Sequence, residues 1–321
     1  MLKFGRETYI LTNKHPLPIT SEKSFTLLSH AHWDHLRYCK EQNIYCTFET
    51  SELIKHIFAG RTNPWPYKHE LCIEDISIRL FPAGHILGSA QFLIQTPSTS
   101  YAITADFKLE DSLLFSGAEI LSSENLIIET TFAKPEFSFP SRETLYSEIS
   151  KWINMQLKEN KKVILFSYPL GKAQELVALL NKYLGITPAV SWDIYYFCDV
   201  YRKFGYNLNY SPLKNIQESD IIILPRHYAN IEFLKALVFQ GIKYSSAYFS
   251  GFALKNNFRL FDKAFPLSDH ADFKQLLRYV EQSNAKRIYT YHGFAKEFAS
   301  YLNKKGYSAK VLSRQNVLNY C

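Results

Sequence analysis

Short apolar runs that end on an ionisable residue organise the first third of the chain. Phe25-Thr26-Leu27-Leu28-Ser29 runs into His30, a strand over 73–81 precedes His85, a run over 101–105 ends at Asp106, and Leu126-Ile127-Ile128 ends at Glu129. Runs of this length, rich in β-branched and aromatic residues, predict strands, and 91–96 adds another. Residues 1–29 predict short strands with turns at Asn13-Lys14 and Pro16-Leu17-Pro18. The segment 51–58 predicts a short helix before the Pro-broken loop Asn63-Pro64-Trp65-Pro66. The repeated relation of strand to ionisable loop predicts an α/β sandwich with one functional edge.

The pattern shifts near Ala133-Lys134-Pro135. Beyond it, helical spacing over 142–160, 173–184 and 231–240 alternates with short apolar runs over 162–167 and 221–224, which predicts a small parallel-sheet domain. From 262 onward His-Asp chemistry returns, around a helix over 273–283 and a strand over 287–291. The expected organisation is a first domain part over 1–135, an insertion over 136–261, and a return to the first domain over 262–321. There is no internal repeat and no low-complexity tract.

Composition narrows the class. At 321 residues and 46% hydrophobic, with 24 Phe and 22 Tyr, the chain can bury a large core and hold two domains. Lys+Arg 37 against Asp+Glu 30 leaves +7, a surplus that suits a polyanionic partner without specifying one. Cys39, Cys46, Cys72, Cys198 and Cys321 form no C-x-x-C pair, so a disulfide framework is not expected and a reducing cytoplasm is. Positions 1–11 carry Lys3, Arg6 and Glu7 and no apolar core of signal-peptide length. No run approaches the roughly 18 apolar residues of a membrane span, so no membrane partner is expected.

The densest chemistry lies in His30-Ala31-His32-Trp33-Asp34-His35. A tight loop can fan these side chains around two adjacent metal ions, His30 and His32 toward one, Asp34 and His35 toward the other. The plain alternative is a histidine cluster on a solvated loop, which chance rarely supplies at this spacing. His85 lies between Gly84 and Gly88, which permit a tight backbone path; alone, such a histidine is more often structural than ligating. Asp106 can bridge two cations through its two oxygens, or merely cap a turn. With His292 two sets close: His30, His32 and His85 with Asp106, and Asp34, His35 and His292 with the same Asp106. Imidazole and carboxylate ligation without thiolate predicts two divalent ions, zinc first and manganese second. Two ions about 3.5–4 Å apart activate a hydroxide and stabilise the entering and leaving oxygens of phosphodiester cleavage. Asp34, as a ligand in that chemistry, is a candidate catalytic residue. His270 and Glu129 are a spare histidine and a spare carboxylate; a histidine held by a glutamate can act as general acid. The alternative for Glu129 is a helix N-terminal charge or a salt bridge.

These residues carry a resemblance. His30 to His35, His85 and Asp106 resemble the metal-binding motifs of the metallo-β-lactamase fold. Glu129 in Ile128-Glu129-Thr130-Thr131-Phe132, His270 in Ser268-Asp269-His270-Ala271-Asp272, and His292 in Tyr291-His292-Gly293 resemble three further motifs of the β-CASP nucleases. The resemblance implies a metallo-β-lactamase αββα sandwich with an inserted β-CASP domain, a small parallel α/β sheet. It places metal ligands on His30, His32, Asp34, His35, His85, Asp106 and His292, the proton-donating histidine on His270 and its acidic partner on Glu129. The stretch Leu267-Ser268-Asp269-His270-Ala271-Asp272-Phe273 and the ending Tyr291-His292-Gly293-Phe294 are similar to bacterial ligase-associated DNA exonucleases. That similarity implies DNA rather than RNA as substrate, and repair beside an ATP-dependent DNA ligase and a helicase. The segment 10–20 departs from that group's pattern.

Substrate contacts are less specific. Lys172, in Ser167-Tyr168-Pro169-Leu170-Gly171-Lys172, could face a phosphate at a helix N-terminus, or simply start the helix. Ser250, in Ser250-Gly251-Phe252, could meet the backbone of the strand being cut. The aromatics over 192–210, with Arg202 and Lys203 among them, could stack bases, but their spacing favours the core face of a helix. An RNA-processing ribonuclease and a metal-stabilised nucleic-acid-binding protein without turnover are the alternative functions.

Overall fold

Alternation along two strands decides which layers they separate. Ile78 and Leu80 of strand Ile76–Pro82 and Phe92 and Ile94 of strand Ala90–Gln95 are fully buried, every second residue pointing to one face. The computed structural model, which describes residues 2–4, 9–11, 25–36, 43–58, 60–73, 75–256 and 258–312, divides into two compact units. The turns expected at Asn13-Lys14 and Pro16-Leu17-Pro18 lie outside the described residues.

The first unit comprises Met1–Leu109, Gly117–Glu136 and His270–Cys321. Its larger sheet runs in the order Ala309–Val311, Arg287–Tyr291, Asn125–Glu129, Ser100–Ile103, Ala90–Gln95, Ile76–Pro82, Glu70–Ile73. The smaller sheet runs Leu2–Phe4, Tyr9–Leu11, Phe25–Leu27, Asn43–Cys46, Thr62–Pro64. Leu27 and Trp65 on the smaller sheet's side pack with Ile78, Leu80, Phe92, Ile94, Ile103 and Ile127 of the larger. Each such side chain contributes about 1.5–3 kcal/mol on full burial. On the other face, Ala102, Leu126 and Ile128 meet Leu276, Tyr279 and Val280 of helix Phe273–Gln282 and Phe298 and Leu302 of helix Ala295–Lys304. Helix Phe48–Ile54 packs beside strand Thr62–Pro64, completing a helix–sheet–sheet–helix sandwich.

Strand direction creates the functional edge. Ser100–Ile103, Asn125–Glu129 and Arg287–Tyr291 are mutually parallel neighbours, so Asp106, Glu129 and His292 leave the sheet on one side. Ala90–Gln95 is antiparallel to both Ser100–Ile103 and Ile76–Pro82, so Ile76–Pro82 also delivers His85 there. The backbone N–H of Ala90 donates to Ser29 O at 2.9 Å, tying the His30 loop to the same side.

The second unit comprises Glu110–Ser116 and Phe137–Asp269. Its six strands are all parallel, ordered Ser211–Pro212, Ala189–Val190, Ile221–Pro225, Lys162–Ser167, Tyr244–Phe249, Lys263–Phe265. The central pair is apolar and buried almost throughout, as a parallel sheet covered on both faces requires.

Several boundaries differ from the sequence expectation. The helix expected over 51–58 starts at Phe48, because Thr47 caps it by accepting from Thr50 N at 3.1 Å, and ends at Ile54. The single strand expected over 73–81 is a hairpin, Glu70–Ile73 with Ile76–Pro82. The helix expected over 173–184 is α-helical over Lys172–Leu179 and then widens to a π-turn over Leu180–Leu184, ending at Gly185 with φ +67°. Of the aromatics over 192–210, Tyr201 is fully buried within helix Trp192–Lys203, while Trp192 and Phe204 are exposed. Cys46, Cys72 and Cys198 are free thiols. Among the described residues, no helix is long and apolar enough to cross a membrane.

Candidate metal centre

His30 lies three residues beyond the strand Phe25–Leu27 and is itself fully buried. Ser29 Oγ lies 2.9 Å from its Nδ1, which orients the ring. The opposite nitrogen, Nε2, has no hydrogen-bond partner among the described residues and stands 3.6 Å from Asp106 Oδ2. His35, on the short helix Trp33–Leu36, brings Nε2 to 3.4 Å from the same oxygen. His85 brings its Nε2 to 3.8 Å, and that nitrogen also lies 3.1 Å from His32 Nδ1. Ser89 Oγ accepts from the backbone N–H of His85 and Ile86 at 3.1 and 3.2 Å, holding the loop that presents His85. Asp106 follows Ala105, whose φ of +48° is unusual for a residue with a side chain. The strained position turns the chain so that the carboxylate faces the histidines.

One ligand atom each from His30, His32, His85 and Asp106 lies within 4.8 Å of the others. A second group, Asp106, Glu129 and His270, meets the same limit and shares the carboxylate. Asp34 and His292 belong to neither group, and both are exposed. His292 has φ +63°, followed by Gly293 at +49°.

The electrostatics favour a cation. Burial, with His35 and His85 nearby, holds the His30 imidazole well below its ordinary pKa and therefore neutral. Burial alone would raise the Asp106 carboxyl; His270, His35 and His30 outweigh it and hold the group well below the usual carboxylate range. A neutral His30 imidazole and an ionised Asp106 carboxylate are the protonation states that metal ligation requires of them. The orphaned His30 Nε2, aimed at a carboxylate too far away for a hydrogen bond, fits a divalent ion between them.

Glu129 ends strand Asn125–Glu129 and is fully buried. Its Oε1 lies 3.1 Å from His270 Nδ1. A carboxylate only accepts, so Nδ1 carries the proton and Nε2 is left for other chemistry. The His270 side chain is 24% exposed, enough to meet a ligand, and its ring centroid is 4.7 Å from that of His85.

The expected substrate contacts are placed within the second unit. Lys172 Nζ donates to Asp269 Oδ2 at 2.5 Å and is buried. Ser250 is buried and accepts from Phe252 N at 3.3 Å. Sequence reasoning passed over Ser29, Ser89, Ala105 and Thr131. A hydroxyl next to a candidate ligand was the available signal for Ser29 alone.

No protein-family model matches the chain. It is 31% identical over 305 residues to a protein of Opitutus terrae named "probable DNA ligase", covering 91% of this chain and 29% of that one. It is 28% identical over 182 residues to an RNase J-like protein of Methanocaldococcus jannaschii, covering 49% of this chain and 43% of that one. The chain thus spans less than half the length of either relative. Among solved structures, a protein of unknown function from Enterococcus faecalis V583 shares the fold, with TM-score 0.62 and 17% identity over 89% of this chain and 78% of that one.

Proposed function

Since the chain belongs to the β-CASP family of metallo-β-lactamase-fold nucleases, we propose that it is a divalent-metal-dependent nuclease that removes nucleotides from DNA ends. The observation that carries this reading is the sharing of Asp106 between the His30–His32–His85 cluster and the His270–Glu129 pair. A metal donor set beside a polarised histidine is the combination that phosphodiester hydrolysis needs, and a small-molecule hydrolase has no use for the second half of it.

His30, His32, His85 and Asp106 would hold one ion; Asp34, His35 and His292, with Asp106, are proposed for a second. Zinc suits this donor set best, and manganese next. When bound, such ions polarise water and offset phosphate charge. Hydrolysis consumes one water: it gives up a proton to solvent as its oxygen bonds to phosphorus, the bond to the leaving oxygen breaks, and that oxygen takes a proton from His270 Nε2, which solvent then restores. Glu129, on Nδ1, fixes the tautomer and sustains the imidazolium before the transfer. In this reading unit two is the inserted domain, in which Lys172 pairs with the Asp269 side chain and the Ser250 hydroxyl accepts from Phe252 N.

DNA, and action beside a DNA ligase, are supported by similarity along 91% of the chain to a protein named as a DNA ligase; repair in the cytoplasm with a helicase belongs to the same proposal. RNA is the second reading, supported by similarity along 49% of the chain to an RNase J-like protein. Digestion of end-labelled DNA and RNA of matched sequence, with zinc or manganese, separates them. The DNA reading expects mononucleotide release from DNA, abolished in Asp106→Asn and His270→Ala; a strong preference for RNA would overturn it. Tight metal binding with no turnover on either polymer would replace the nuclease with a binding protein.

A further inference from the structure

Both oxygens of Glu129 are committed. Oε1 faces His270 Nδ1 at 3.1 Å, while Oε2 accepts from the backbone N–H of Thr131 at 2.9 Å and from its hydroxyl at 2.5 Å. The terminal torsion of a glutamate is otherwise broad and roughly two-fold, so a carboxylate held at one oxygen only through a histidine could swing with the ring. Two donors on Oε2 fix the carboxylate plane, and hydrogen bonds to an ionised acceptor are the strong kind. Burial makes any loss felt, since water cannot replace the missing donor.

Thr131 can do this because its own backbone is held. The neighbouring Thr130 hydroxyl donates to the carbonyl of Tyr291 at 2.9 Å, and Thr130 O accepts from Phe294 N at 2.9 Å. Gly293 packs so closely that an added Cβ would stand 2.6 Å from Thr131 Cα. The segment Glu129–Thr130–Thr131 is therefore pinned to the strand end beside it, and the threonine side chain has a rigid base from which to hold the glutamate.

We propose that Thr131 is a positioning residue: its hydroxyl and amide fix Glu129 so that the remaining oxygen holds His270 in the orientation that protonates the leaving oxygen. The proposal rests on the reading of His270 as proton donor, and Thr131 acts on it only through Glu129.

Two measurements test it on the full chain, with Thr131→Val, which keeps the shape and loses the hydroxyl, and Thr131→Ser, which restores it. The first is NMR of the metal-free protein labelled with ¹⁵N-histidine, with the His270 Nδ1–H resonance identified by its disappearance in His270→Gln. It is expected to be lost or displaced in Thr131→Val and retained in Thr131→Ser. The second compares DNA with bis(p-nitrophenyl) phosphate, whose leaving group departs as a stable anion and needs no proton. Thr131→Val is expected to lose roughly 10–100-fold in kcat on DNA, the scale of losses from a supporting hydrogen-bond partner. It should keep its KM and its rate on the activated ester, and Thr131→Ser should recover kcat. An unchanged resonance together with unchanged DNA kcat overturns the proposal. So does an equal loss on both substrates, which would mark a merely structural role. If the wild-type protein cuts no nucleic acid, the nuclease reading fails, and the resonance alone still decides whether Thr131 holds the pair.

Discussion

Lys172 Nζ and Asp269 Oδ2 stand 2.5 Å apart with both side chains about 6% exposed, an ion pair almost sealed from water. Removing one partner of such a pair strands the other charge in the interior, at a cost of about 3–5 kcal/mol. Lys172→Met is therefore expected to lower the unfolding free energy by about that amount in urea titration. Lys172→Met combined with Asp269→Leu should regain most of it, because neither member of the pair is then left buried without its partner. A single variant as stable as the wild type would show that the pair is solvated in solution.

Gly293 is the second point of leverage. At φ +49°, and with a prospective Cβ 2.5 Å from Thr130 O, alanine there meets both backbone strain and a collision. Gly293→Ala is expected to cost about 1–3 kcal/mol and to displace the turn carrying His292. Thermal unfolding reads the first effect. A fall in metal affinity without loss of the His30 cluster would read the second.

Metal linkage should be large at Asp106, the carboxylate shared by both ligand groups. Supporting partners around a metal typically account for about 10–100-fold in affinity, and a direct ligand should exceed that. Competition with a chelator is expected to show a loss of at least about 100-fold in Asp106→Asn. In the wild type, zinc at about 100 times its dissociation constant should add about 2.7 kcal/mol of stability, reversed by chelation.

The thiols give a prediction with a pH direction. Burial pushes the Cys198 thiol up to about 12, and the reactive species is the thiolate. Between pH 7 and 9 Cys198 stays protonated, so iodoacetamide should modify the exposed Cys72 and spare Cys198 across that range. Mass spectrometry of the tryptic peptides checks this, with denatured protein as the positive control. Labelling of Cys198 in the folded chain would mean that its helix opens.

Ligand type was legible in the sequence because His30 to His35 crowd one loop, and their chemistry does not depend on distant residues. The strands were legible too, since Leu126-Ile127-Ile128 and Val163-Ile164-Leu165-Phe166 carry their burial in their composition. What local pattern could not show was direction at long range. Nothing near Lys172 announces that its ammonium turns inward to a carboxylate 97 positions later. The αL turn at Ala105 was equally hidden, because alanine is no signal for positive φ and the surrounding fold imposes it. The strand pair Glu70–Ile73 and Ile76–Pro82 escaped because apolar residues on both sides of Glu74-Asp75 read as one alternating strand.

The order in which the parts leave the ribosome has its own consequence. Glu129 and His270 are 141 positions apart, and strand Arg287–Tyr291 pairs in parallel with Asn125–Glu129 only after the whole of the second unit has been made. Contacts of such separation form late and slowly, because a long loop must close before they repay it. The nascent chain therefore carries its histidine loop without the glutamate–histidine pair until the second unit and His270 have been made. Under the proposed nuclease reading, the chain would stay silent until then while attached to the machine, made largely of RNA, that is producing it.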